Sequence, residues 1–172
     1  MNSTAIIRLF RLLTLLLFQV LVFNNIHWLG YITPLVIGYM VVSFHRNTPR
    51  VVALLWGFAV GLLFDCFSNT AGMATAGCTL IAMIQPPLLN RMVPHDSAED
   101  ITPSFSTLGF WNFLLYVLLL MAILHCVFYL LDAFTLSDWP LTLLSILGGT
   151  LLSTVIILGI EMLLHTRHPH HT

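Results

Sequence analysis

Apolar residues along this chain gather into six blocks separated by short polar joints. The blocks cover residues 7–23, 26–44, 51–67, 72–89, 107–131 and 140–164. Crossing about 30 Å of hydrocarbon takes roughly 20 helical residues, so each block predicts one membrane span. The first and third are short and must borrow flanking residues. Helices are expected because lipid offers backbone amides no partner, so each amide must be satisfied within its own segment. A barrel would need alternating strands of about ten residues, and the run from Leu114 to Met121 does not alternate. The expectation is therefore an all-α, polytopic, six-helix membrane protein forming a single domain over residues 1–172.

Composition strengthens this reading. Of 172 residues, 58% are hydrophobic and 8% charged, with a mean hydropathy of +0.94. A soluble domain carries roughly 25% charged residues. Lysine is absent and the formal net charge is −1, so there is no broad basic surface for nucleic acid. Cys66, Cys78 and Cys126 sit in or beside apolar blocks without a CxxC pair, and read as small buried residues. Arg8 and Arg11 before the first block resemble the start of a secretory signal. Asn24-Asn25 follows instead of a small-residue cleavage pattern, which favours an uncleaved first span.

The arginines orient the spans. Arg8 and Arg11 precede the first, Arg46 and Arg50 lie between the second and third, Arg91 follows the fourth and Arg167 the sixth. With six spans all fall on one side, and the opposite joints carry only Asp65, Asp132 and Asp138. Positive charge marks the cytoplasmic side, so both termini are expected inside. Trp28, Tyr31 and Trp139 fall near outer span ends, where aromatic rings favour the interface.

Asp65 is the residue that most needs an explanation. It lies about one turn from the outer end of the third span, where burial and the helix dipole both oppose a carboxylate. Ser68, Asn69 and Thr70 can cap the start of the fourth span, and the free amides there attract an anion. Asp65 is thus expected to fold back onto those amides, with Thr75 adding a hydroxyl, and to brace a tight outer hairpin. A compatible alternative makes it part of a binding surface or polar pocket. Gly57 and Gly61 form GxxxG, and Ser145, Gly149 and Ser153 recur at the same spacing in the sixth span. Small residues let helix backbones approach closely, and internal packing is the expected use.

These residues carry a resemblance. The stretch WGFAVGLLFDCFSNTAGMATAG resembles the rod shape-determining membrane protein family MreD. Gly57, Gly61, Leu62, Asp65 and Gly72 match that family's Gly-x(3)-Gly-Leu-x(2)-Asp pattern and the glycine about seven residues on. Length and hydropathy match over nearly the whole chain. The resemblance implies a bacterial inner-membrane protein of the cell-elongation machinery that performs no catalysis. It implies work beside the bitopic protein MreC, the filament protein MreB and the glycosyltransferase–transpeptidase pair that builds lateral wall. It also implies a fold similar to the substrate-binding components of energy-coupling-factor vitamin transporters. Gly57, Gly61, Asp65, Ser68 and Gly72 would then be structural or partner-binding. The short first span and the histidine-rich tail depart from the family, so no role is assigned to the termini.

Other polar residues receive plainer readings. His165, His168, His170 and His171 form a solvated tail rather than a metal site, since Pro169 interrupts them and no acid or cysteine joins them. His125 is expected to be a packed neutral imidazole bonded to a backbone carbonyl. Glu161 is expected to pair with Arg91 or Arg167, or to snorkel. The joint holding Arg91, Asp96, Glu99 and Asp100 is the longest inside loop and the expected contact for a cytosolic partner. No phosphate-cradling loop, HExxH, Ser/His/Asp set or carboxylate pair within one span occurs, so neither enzyme chemistry nor a cofactor or metal is expected. The runner-up function is the vitamin-binding component of a transporter, which needs several polar groups converging on a pocket. Its coupling helix tends to carry alanines at spacing four, and the first span here has none.

Overall fold

The computed structural model describes Thr14, Leu17, Gln19 and residues 33–93, 101–133 and 139–166, with side chains as far as Leu163. Among the described residues the chain is all-helical, with no strand. After an irregular stretch at 33–35 and one 3-10 turn, Val36–Gly38, come α1 (Tyr39–Val42), α2 (Arg50–Ser68), α3 (Met73–Met92), α4 (Phe105–Leu108), α5 (Phe110–Asp132) and α6 (Trp139–Thr166). Helices α2, α3, α5 and α6 pack as successive antiparallel neighbours, and α1 lodges against α2 and α3.

Three helices are long and apolar enough to cross a membrane: Arg50–Ser68, Phe110–Asp132 and Trp139–Leu163. They coincide with the third, fifth and sixth predicted blocks to within a few residues. The fourth block forms α3, whose 20 residues include Gln85, Pro86, Pro87, Asn90 and Arg91. It can be less apolar because α2 and α5 flank it, so protein replaces lipid along much of its surface.

The second block differs from expectation. Residues 26–44 do not form one continuous span, because the chain is irregular at 33–35 and helical only from Val36 to Val42. Pro34 removes an amide donor and disfavours helix at the residue before it. The fifth block also starts differently. Gly109, at φ 78°, separates α4 from α5, so the long helix begins at Phe110 rather than 107. The first block lies outside the described residues except for Thr14, Leu17 and Gln19, which are helical.

The core runs through the middle of this stack. Tyr116, Val117, Leu120, Met121 and Leu124 of α5 are fully buried in one core with Val36, Ile37, Val41, Cys78, Ile81 and Ala82. Leucines on the outer faces of α2 and α6, such as Leu55, Leu62, Leu147 and Leu151, stay exposed, as lipid-facing side chains should. Between apolar helices in lipid the hydrophobic effect gives little drive, so close packing and interhelical hydrogen bonds must hold the stack.

Candidate functional site

The hairpin between α2 and α3 is built on a four-residue repeat. Gly57, Gly61 and Asp65 share one face of α2 because residues four apart are helical neighbours. That face lies directly on α3. A Cβ at Gly57 would stand 2.7 Å from the Ala82 Cβ and 2.8 Å from the Cys78 carbonyl oxygen. One at Gly61 would stand 2.5 Å from the Thr75 Cα. Only a missing side chain permits this backbone-to-backbone approach, and so the GxxxG pair is spent inside the fold.

That approach sets the reach of Asp65, whose side chain is short. Asp65 is 4% exposed, and its carboxylate faces the start of α3. Oδ1 accepts from the Thr70 hydroxyl and from the Ala74 amide at 3.1 Å. Oδ2 accepts from the Thr75 amide at 2.8 Å and the Thr75 hydroxyl at 2.6 Å. Four donors, two of them amides that no helical carbonyl can serve, compensate the buried charge. The fold-back expected from the sequence is present. The cap itself differs, however: Asp65 serves the α3 start, while Thr70 donates to Asp65 instead. Asn69 turns left-handed at φ 55° to end α2, and its amide and that of Thr70 return to the Asp65 carbonyl. Ser68 is the last residue of α2. Gly72, at φ 80°, supplies the second left-handed residue of the turn.

Beside this lock an open groove of about 530 Å³ runs along the outer surface of α2 and α3. Leu54, Phe58 and Leu62 form one wall. The floor is small, with Gly72, Thr75, Ala76 and Thr79, and Leu80 and Met83 close the far side. Thr75 thus belongs to both features, holding Asp65 and lining the groove. Of the expected site residues, Gly57, Gly61, Asp65 and Gly72 are brought together here with Ser68 at the helix end. Arg91 is not, since it lies at the other end of α3, about 27 Å away by helical rise. Arg91 is exposed there, while Asp96, Glu99 and Asp100 lie outside the described residues. The same end gathers Arg46, whose Nε donates to the Asn90 side chain at 2.9 Å and whose amide donates to the Ile101 carbonyl at 2.9 Å.

A second polar cluster went unrecognised in the sequence. The broken stretch at 33–44 is buried, and side chains from distant helices serve its backbone. Gln19 donates to the Pro34 carbonyl at 2.6 Å and accepts from the Ile37 amide at 3.2 Å. The Tyr129 hydroxyl accepts from the Thr33 amide at 3.0 Å, and the Ser153 hydroxyl from the Leu35 amide at 2.9 Å. Tyr116 donates to the Val42 carbonyl at 2.9 Å, and Gln85 to that of Phe44 at 3.2 Å. Non-helical backbone survives at membrane depth only when enclosed like this. A glutamine standing alone in an apolar block, as Gln19 and Gln85 do, was the available signal.

His125 belongs to this cluster. Its Nδ1 lies 2.9 Å from the Met121 carbonyl, which assigns the proton there, and Nε2 lies 3.3 Å from the Ser153 hydroxyl. The ring fills the notch at Gly149, where a Cβ would come within 2.5 Å of it. The small-residue repeat of the last span therefore makes room for an imidazole. Glu161 accepts from the Tyr39 hydroxyl at 2.7 Å, and Arg167 lies outside the described residues. Among the described residues no three His, Cys, Asp or Glu side chains cluster to hold a metal ion. The histidine tail from His168 and the aromatic residues Trp28 and Tyr31 lie outside them, as do Arg8, Arg11 and Asp138.

Comparison with protein-family models, curated proteins and solved structures finds no match.

Proposed function

We propose that the chain is a non-catalytic scaffold of the bacterial inner membrane, acting in lateral cell-wall synthesis as the MreD-like pattern implies. It crosses the bilayer six times with both termini in the cytosol, in an arrangement akin to the transporter substrate-binding components. It holds the transmembrane helix of a single-span partner, MreC, and through it works with MreB and the wall-building glycosyltransferase–transpeptidase pair.

One observation supports this reading above others. The residues that carry the resemblance form a rigid helix pair, and that pair presents an apolar groove with a small-residue floor to the lipid. A groove of that kind accepts the side-chain ridge of another helix, and packing is the main force available for such association in lipid. Asp65 then acts at one remove, by fixing the α2–α3 angle.

Depletion in a rod-shaped bacterium is expected to round the cells, and affinity capture in mild detergent to recover MreC. Ala76→Leu, which fills the groove floor, should lower that recovery without unfolding the chain. Unaltered shape with lost vitamin uptake would favour a transporter component instead, and full MreC recovery by Ala76→Leu would take the groove out of the account.

A further inference from the structure

Helix α3 contains two adjacent prolines, Pro86 and Pro87. Proline has no N–H, so the carbonyls four residues earlier, on Ala82 and Met83, lose their i+4 donor. For Ala82 the fifth residue on is also proline, so a wider helical bond cannot form either. Met83 is exposed, whereas Ala82 is buried against Gly57.

Gln85 stands beside this break and is wholly buried. Its Nε2 donates to the Phe44 carbonyl at 3.2 Å and to the Tyr116 hydroxyl at 2.9 Å. Tyr116 in turn donates to the Val42 carbonyl. This chain of donors settles the amide's orientation, because turning it over would set Oε1 against the Phe44 carbonyl oxygen, acceptor against acceptor. In the settled orientation Oε1 has no donor among the described residues. Gln85 Oε1 therefore lacks a donor, and the Ala82 carbonyl, three residues earlier on α3, lacks its i+4 amide.

We infer that an ordered water molecule is built into the proline break of α3, donating one hydrogen to Gln85 Oε1 and the other to the Ala82 carbonyl. Buried waters settle where polar groups would otherwise go unpaired. Two neutral oxygens do not suit a calcium or magnesium ion, which takes about six or more oxygen ligands. The water completes a clamp in which α3 and α5 together hold the end of α1 through the Val42 and Phe44 carbonyls.

Hydroxyl-radical labelling by X-ray radiolysis, with the full chain in detergent, tests this, because a bound water generates radicals next to buried side chains. Tyr116 is fully buried and Trp111 is exposed, so Trp111 reports radicals from bulk solvent. Tyr116 is expected to be labelled in the intact chain. Its label should fall to background in Gln85→Met, which removes the acceptor, and decline in Pro86→Ala, which returns an amide to Ala82. If Gln85→Met does not fold, Pro86→Ala decides, since it replaces a helix breaker with a helix former. An unlabelled Tyr116 beside a labelled Trp111 would overturn the inference, as would Tyr116 labelling unchanged in the folded variants.

Discussion

The α2–α3 hairpin and the stretch from Thr33 to Phe44 both bury polar groups inside a membrane protein, by opposite means. In the hairpin one carboxylate satisfies the start of a single helix, and every donor lies within ten residues of Asp65. In the broken stretch the backbone itself is the unpaired partner, and Gln19, Tyr129, Ser153, Tyr116 and Gln85 converge on it from across the chain. Leu35 and Ser153 are 118 residues apart. The first device is local and is made rigid by glycine contacts. The second exists only once the whole helical stack has assembled. The contrast predicts that damage to the hairpin should cost α2–α3 packing directly, whereas damage to the broken stretch should loosen one segment and leave the helices standing.

The largest effect is expected from Gly61→Leu. Its side chain would meet the backbone of Thr75, and overpacking of this kind costs about 1–3 kcal/mol or more where no neighbour can yield. Folded yield and thermal midpoint in detergent should both fall sharply. Gly159→Leu is the control, because nothing lies within 4 Å of its added Cβ, and it should be neutral. Equal losses in the two variants would remove close approach as the reason for the hairpin.

Next in size is Asp65→Ala, expected to cost about 2 kcal/mol, the upper range for a lost helix cap. Asp65→Asn keeps one acceptor oxygen and should cost less. Identical losses would mean that the amides of Ala74 and Thr75 do not depend on the carboxylate.

Much of the hairpin was legible in the sequence, because its parts are close neighbours. Gly57, Gly61 and Asp65 declare a shared face by spacing alone, and the next helix start follows within a turn. The left-handed residue Asn69 and the donation from Thr70 were not legible, since three adjacent polar residues are interchangeable until backbone angles separate them. The break in the second block was masked for a different reason. Hydropathy registers burial and is blind to helix continuity, so 26–44 read as one span despite Pro34. Glu161 was expected to pair with an arginine or to snorkel; its bond from Tyr39, 122 positions earlier, was not legible, because only the fold brings the two together. His125 was read correctly as a packed imidazole, but its notch at Gly149 needs the fold.

Ser153→Ala tests the other half of the comparison. It strands the Leu35 amide, and an unsatisfied buried group costs about 1–3 kcal/mol. Hydrogen exchange should accelerate at residues 33–38 while α2 and α3 keep their protection. Acceleration spread evenly over all helices would mean that the broken stretch is not an independent unit. The smallest effect is expected from Leu147→Ala on the exposed face of α6, within about 0.5 kcal/mol of the parent chain.

The central claim is that the groove beside the Asp65 lock receives a partner's transmembrane helix. Photo-crosslinking side chains placed at Leu62 and Met83, on the two sides of the groove, and at Leu147 and Leu151 on α6, test it most directly in living cells. The account predicts covalent adducts with the single-span partner from positions 62 and 83 and none from 147 or 151. Adducts confined to α6, or none from the groove when affinity capture still recovers the partner, would contradict it.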